Sequence, residues 1–227
     1  MQNIQVYGLD IETDTSRDAL DPVVASVRAV GLSTQAGDEL FVGDEDTLLA
    51  DLDARLADLP RGVLATWNGG AFDLPFLADR ARLIGVSIGL RLRLDRALAL
   101  HRTPLPGHAG AYRGAWHGHS HIDTYRLYGP PSGTRSSLRS VGRLLGVGGA
   151  SGRQVRRADL TNEALHAHAP SDARLARVLA ERRWPAAARM LDHVDAHEAE
   201  HVAVAERRAA RKERIEAVGS RARIATV

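Results

Sequence analysis

The order of periodicities along the chain narrows its fold further than any single motif. Extended stretches come first and helical stretches are interleaved after them, which points to an α/β or α+β chain built on a mixed sheet. IQVYGLDI, residues 4–11, reads as a strand, with candidate strands two and three over Val24–Thr34 and Glu39–Val42. Leu48, Leu49, Leu52, Leu56 and Leu59 then recur at helical spacing through the acidic segment 44–59, and Pro60 closes it. A short apolar strand, Gly62–Trp67, runs into Asn68-Gly69-Gly70, a turn that opens a helix over residues 72–84. The alternation LRLRL at 90–94 adds one more strand. Residues 96–120 are rich in Gly, His and Pro without a period and read as a long loop, a kind of segment that is often functional. HIDTY at 121–125 returns to extended structure, and SSLRSVGRLL at 136–145 fits a Ser-capped helix with Leu138, Val141, Leu144 and Leu145 on one face.

Past a Gly-rich linker at 146–152, Pro170 is expected to divide two helical pieces, 161–169 and 171–183, the second capped by Ser171. Pro185 suits the first turn of a long Ala/Arg/Glu/His-rich helix running to about residue 217, whose apolar stripe is thin. The expected organisation is one domain over 1–183 and a C-terminal helical extension over 184–227.

Composition limits the function classes. A chain of 227 residues can bury one sizeable core. No stretch approaches the roughly 18 apolar residues of a membrane span, and no basic segment followed by an apolar one marks a secretory leader. The absence of cysteine excludes disulfides, thiolate zinc sites and cysteine nucleophiles. A cytoplasmic protein with no membrane partner is the expectation. Charge is unevenly spread: residues 1–120 carry 11 Lys+Arg against 16 Asp+Glu, and residues 121–227 carry 19 against 12. The basic half suits an anionic partner, nucleic acid above all, or is simply an Arg-rich solvated surface.

In GLDIETDT, residues 8–15, Asp10 and Glu12 stand two apart on a strand and therefore share a face, while Leu9 and Ile11 point into the opposite layer. Carboxylates so close raise one another's pKa unless a cation sits between them, and a hard divalent ion such as Mg²⁺ or Mn²⁺ suits all-oxygen ligation. A solvated strand end accounts for the pair equally well. In WNGGAFDLPFL, residues 67–77, Asp73 opens a helix, where an acid commonly complements the helix dipole. Asp172 holds the same kind of position in HAHAPSDARLARVLA. Judged separately, none of the three is decisive.

Taken together they resemble the DEDD, or DnaQ-like, 3′–5′ exonuclease superfamily. A strand ending D-x-E-T is followed by N-x-x-x-F-D opening a helix, and then by an acid late in the domain preceded by an imidazole. HIDTYRLY at 121–128 resembles the family strand between the second and third motifs. The resemblance covers residues 3–183 and implies a ribonuclease-H-like fold, a mixed central sheet flanked by helices. It also implies two divalent cations, Mg²⁺ or Mn²⁺, held by Asp10, Glu12, Asp73 and Asp172. In this family the first acid, here Asp10, contacts both ions, Glu12 and Asp172 hold the first, and Asp73 acts largely through water. Such pairs of ions lie about 3.5–4 Å apart, activating a water and stabilising charge on the scissile phosphate and leaving oxygen. Thr13, Asn68 and Phe72 are implied to place the terminal nucleotide of a single-stranded 3′ end.

The sequence departs from the family at the general base. One branch has Tyr four residues before the last acid and another has His five before it; here His168 stands at the tyrosine spacing and Ala167 at the other. An imidazole suits base work near neutrality better than a phenol, so His168 is the expected base, with His166 or no protein base as alternatives. His117, His119 and His121 alternate with Asp123 and share a face if extended. His-x-His can bind a transition metal, but no further ligand set accompanies it, and these read as polar loop residues near the substrate groove. Asp123 reads as a support of the active centre, hydrogen bonding near the second motif. Arg135, Arg139, Arg143, Arg153, Arg156 and Arg157 gather around the Gly-rich linker and could grip phosphates or form a solvated face. The last helix could extend that track or serve as a homodimerisation arm. Metal-dependent exonuclease action is the function expected, and a non-catalytic nucleic-acid-binding module on the same fold is the alternative.

Overall fold

The structure is a computed structural model that describes residues 4–95, 104–128, 137–147 and 162–191. The described residues up to Ala187 belong to one compact unit, and Ala188 opens a second. Most of the proposed C-terminal extension, including any dimerisation arm, lies outside the described residues.

Seven strands form one sheet in the order β3-β2-β1-β4-β7-β6-β5. Strand β1 (Gln5–Thr13) runs antiparallel to β2 (Val27–Ser33), which pairs antiparallel with β3 (Asp38–Phe41). On its other side β1 is parallel to β4 (Gly62–Thr66), and β4 is parallel to β7 (His119–Asp123). Strands β5 (Leu90–Leu94) and β6 (Tyr112–Trp116) extend the sheet antiparallel beyond β7. This is a mixed α/β sheet with flanking helices, the ribonuclease-H-like arrangement.

One face of the sheet is apolar and dry. Tyr7, Leu9 and Ile11 of β1, with Val30 and Leu32 of β2, pack on Leu48, Leu49, Leu52 and Leu56 of α1 (Glu45–Asp58) and on Leu74, Phe76 and Leu77 of α2 (Asp73–Ile84). The leucine spacing read in 44–59 is therefore the buried stripe of α1. The other face is covered by α5 (Asn162–Arg182), and there the contact is between main chains. A Cβ placed on Gly8 would lie 1.9 Å from the carbonyl oxygen of Ala173, and one on Gly31 would lie 2.2 Å from the carbonyl of Ala169. No side chain larger than hydrogen fits at either position. Two shorter helices also belong to the unit: α3 (Thr124–Tyr128) and α4 (Leu138–Leu144), the latter capped by reciprocal Ser137–Ser140 hydrogen bonds.

Three local expectations are corrected. The stretch 96–120 is not one long loop, since it contains β6 and the start of β7. Their two-residue connection, His117-Gly118, has positive φ at both positions (45° and 82°), the twist that suits a tight hairpin. Second, Thr124 and Tyr125 are helical rather than extended, because the strand ends at Asp123. Third, Pro170 does not divide two helices but lies inside the single helix α5. Proline removes one intrahelical hydrogen bond there, yet Ala169, Ala173 and Ala176 are fully or almost fully buried. Docking against the sheet overrides the local penalty.

Candidate active site

The even-numbered residues of β1 face α5, which is why Gly8 meets Ala173 and why Asp10 and Glu12 point the same way. Asp10 is paired across the sheet with Gly31, the residue lying under Ala169 and Pro170. The acids of β1 thus lie beneath the stretch of α5 that carries His168 and Asp172. A bulge between Glu12 and Thr13 ends the regular register just past the second acid.

Asp73 arrives at the start of α2, after the turn that follows the neighbouring strand β4. Pairing of β1 with β4 stops at Gly8↔Ala65, so beyond it the Ile11 N–H has no ladder partner on that side. Asp73 Oδ1 accepts this N–H at 3.3 Å, which sets its carboxyl against the main chain of the residue that separates Asp10 from Glu12. The turn that delivers Asp73 is tight. Asn68 adopts a left-handed conformation (φ 65°), its carbonyl accepts from the N–H groups of Ala71 and Phe72, and the Gly69 carbonyl accepts from Leu74.

Asp123 holds that turn from the end of β7. Its Oδ1 accepts the Asn68 N–H at 2.7 Å and the Tyr125 N–H at 3.1 Å. Burial pushes its pKa up to about 6, against hydrogen bonds and the nearby Arg126 charge that pull it down. Tyr112 latches the same turn from β6 by donating its N–H to the Gly70 carbonyl at 2.7 Å. Phe72 stacks in a tilted arrangement on Phe76, with ring centroids 5.5 Å apart, and Thr13 is buried with its hydroxyl donating to the Ala19 carbonyl.

Asp10, Glu12, Asp73 and Asp172 are all buried, between 1% and 8% exposed. Placing four carboxylates out of water costs folding free energy unless donors or cations offset it. One oxygen of each β1 acid, Asp10 Oδ2 and Glu12 Oε1, is buried and accepts no hydrogen bond, although both residues have further interactions. The donor set is all oxygen, the chemistry that hard divalent cations take. As the side chains stand, however, no three His, Asp or Glu among the described residues form a group that could hold a metal ion. Two of the acids are engaged by other groups. Asp73 is turned to the Ile11 N–H, and both oxygens of Asp172 are taken by Arg139, from Nε at 2.9 Å and from Nη2 at 3.1 Å.

His168 lies one turn before Asp172, its Nε2 3.5 Å from Arg139 Nη1. Sequence reasoning singled out Arg139 only as one of six arginines; its partner 33 residues away left no local signal. Arg135, Arg153, Arg156 and Arg157 lie outside the described residues. The three histidines do not converge. His119 is buried, accepting from the Gly62 N–H and set against the Leu56 carbonyl, while His117 pairs with Asp53. His121 contacts the Thr66 hydroxyl, and burial pulls its pKa down to about 3.

No helix among the described residues is long and apolar enough to cross a membrane. No protein-family model matches the chain. Over 116 residues it is 27% identical to DNA polymerase 2 of Aeropyrum pernix, a stretch amounting to 49% of this chain and 14% of that protein. Its fold matches the family B DNA polymerase of the hyperthermophilic archaeon Pyrobaculum calidifontis with a TM-score of 0.62 at 21% identity, over 80% of this chain and 25% of the other. The chain therefore spans only a minor part of the length of either polymerase, resembling the first in sequence and the second in fold.

Proposed function

We propose that the chain is a divalent-cation-dependent 3′–5′ exonuclease that hydrolyses the terminal phosphodiester of single-stranded nucleic acid. The observation that carries this reading is the burial of Asp10, Glu12, Asp73 and Asp172 where β1, the start of α2 and α5 meet. The polymerase likeness supports it, since those proteins act on DNA by name. Asp10, Glu12, Asp73 and Asp172 would hold Mg²⁺ or Mn²⁺. When bound, such ions supply an activated water and stabilise charge on the phosphate and leaving oxygen.

The chain's own groups do the remainder. His168 accepts the proton of the attacking water, which suits a residue one turn from Asp172. Asn68 and Phe72, on the turn braced by Asp123, and Thr13, beyond Glu12, orient the terminal nucleotide. The reaction is tested by incubating end-labelled single-stranded DNA and RNA with and without Mg²⁺ or Mn²⁺ at several pH values, beside Asp10→Asn as control. Stepwise shortening from the 3′ end that needs the metal and Asp10 is expected.

A second reading, a nucleic-acid-binding module without catalysis, is favoured by the fork of Arg139 on Asp172. Binding of the labelled strands with no metal-dependent shortening at any pH would establish it instead.

A further inference from the structure

We propose that Arg139 is a positioning residue with two successive partners. It holds the Asp172 carboxylate first, and takes the phosphate of the terminal nucleotide when a divalent cation claims that carboxylate. The inference rests on the reading of Asp172 as a cation ligand.

The two partners of the pair are unequally free. The Asp172 side chain is 10% exposed on a docked helix, whereas the Arg139 side chain is 38% exposed at the rim. The backbone beneath Arg139 is fixed. Its helix is capped by Ser137 and Ser140, and Leu138 and Val141 pack on Leu175 and Leu179 of α5. Gly142 lies so close that a Cβ there would come within 2.9 Å of Leu175 Cδ2. Rotation about the χ angles of the arginine side chain is enough to swing the guanidinium, with no change in the packing of either helix.

Two cationic groups on one carboxylate repel each other, so a divalent ion binding Asp172 displaces the guanidinium. A planar guanidinium that fits a carboxylate through two parallel hydrogen bonds fits a phosphate in the same way. Released beside the acids, its next anionic partner is the phosphate of a nucleotide bound there. On this arrangement Arg139 weakens cation binding to the protein alone and strengthens nucleotide binding to the loaded protein.

The test uses the full chain. Mn²⁺ affinity is read from the electron paramagnetic resonance of the free ion. Thymidine 5′-monophosphate affinity is read by calorimetry at saturating Mn²⁺. Circular dichroism melts check that each variant folds. Arg139→Gln is expected to bind Mn²⁺ about threefold to tenfold more tightly than the unaltered protein, the range for loss of a partly exposed, charge-assisted competitor. The same variant, loaded with Mn²⁺, is expected to bind the nucleotide about tenfold more weakly, and Arg139→Lys to recover part of that loss. Equal Mn²⁺ affinity in the unaltered protein and Arg139→Gln overturns the exchange, as does equal nucleotide affinity. If the unaltered protein binds no Mn²⁺ at all, the cation-site reading itself falls and takes the inference with it.

Discussion

Replacing Gly8 by alanine is the most direct way to ask whether the acids depend on how closely α5 lies on the sheet. The new Cβ would sit 1.9 Å from the Ala173 carbonyl oxygen and 2.7 Å from its carbonyl carbon. An ordinary contact begins near 3.4 Å, so the helix must retreat by roughly 1.5 Å at this point. The obstacle is main chain, which cannot rotate out of the way. Overpacking of this kind costs about 1–3 kcal/mol, and a backbone obstacle belongs at the upper end. The lower entropy of alanine in the unfolded chain returns about 0.4–1 kcal/mol. A net loss of about 2 kcal/mol lowers the melting temperature by roughly 4–8 °C for a protein of this size. Activity should fall further than stability, because Asp172, bonded to Ala173, is carried with it away from Asp10, and a misplacement of about 1 Å can cost 10²-fold. Thermal melts and exonuclease rates are compared with those of Gly114→Ala, whose Cβ clashes with the tip of the Leu74 side chain at 2.5 Å and meets His121 and Leu92 at ordinary contact distances. A Gly8→Ala protein that melts within 1 °C of the parent, or that loses no more activity than Gly114→Ala, refutes the reasoning.

Other outcomes follow from the same geometry. Asp123 has a folded pKa of about 6 against an unfolded 3.8, so its contribution is present below pH 4 and is lost as pH rises through 6. Asp123→Asn should therefore gain up to about 3 kcal/mol relative to the parent between pH 4 and pH 7.5, measured by urea unfolding at each pH, and a constant difference sinks the argument. His121 works in the opposite direction, because its stabilisation is full above pH 6.5 and is lost as pH falls toward 3. His121→Gln should accordingly flatten the acid limb of the stability curve. Glu12→Gln, which removes one of the four buried carboxylates, should raise the melting temperature without divalent cation by the equivalent of about 1 kcal/mol. It should also abolish the stabilisation given by Mn²⁺; retained Mn²⁺ stabilisation would show that Glu12 is not a ligand. His168→Ala should slow metal-dependent cleavage by about 10²–10⁴-fold and flatten its pH profile, with His166→Ala near the parent. Full activity in His168→Ala removes it as the base.

Much of the β1-centred architecture is legible locally because each signal lies within one element. The leucine spacing of α1 and the alternation of LRLRL recur as an observed helix and strand. Asp10 and Glu12 share a face because a strand has a period of two. What escaped has non-local causes. The segment YRGAW of β6 does not alternate, and its extended state comes from pairing with LRLRL. His-Gly is an unusual hairpin turn, held here partly by His117 on Asp53. Continuity of α5 through Pro170 depends on docking to Gly8 and Gly31, and the partner of Arg139 depends on how α4 packs on α5. The histidine alternation was visible, but only the fold shows that His119 is satisfied inside the core.

The unbroken course of α5 has a mechanical consequence. His168 and Asp172 ride one rod, pinned to the sheet by its alanines, so neither can approach a reacting phosphate without the other. Proline at 170 also withholds the N–H that would otherwise engage the carbonyl of His166. The His166 carbonyl therefore lacks the main-chain donor that an uninterrupted helix would supply four residues on, and the rod keeps its course through packing rather than through that bond.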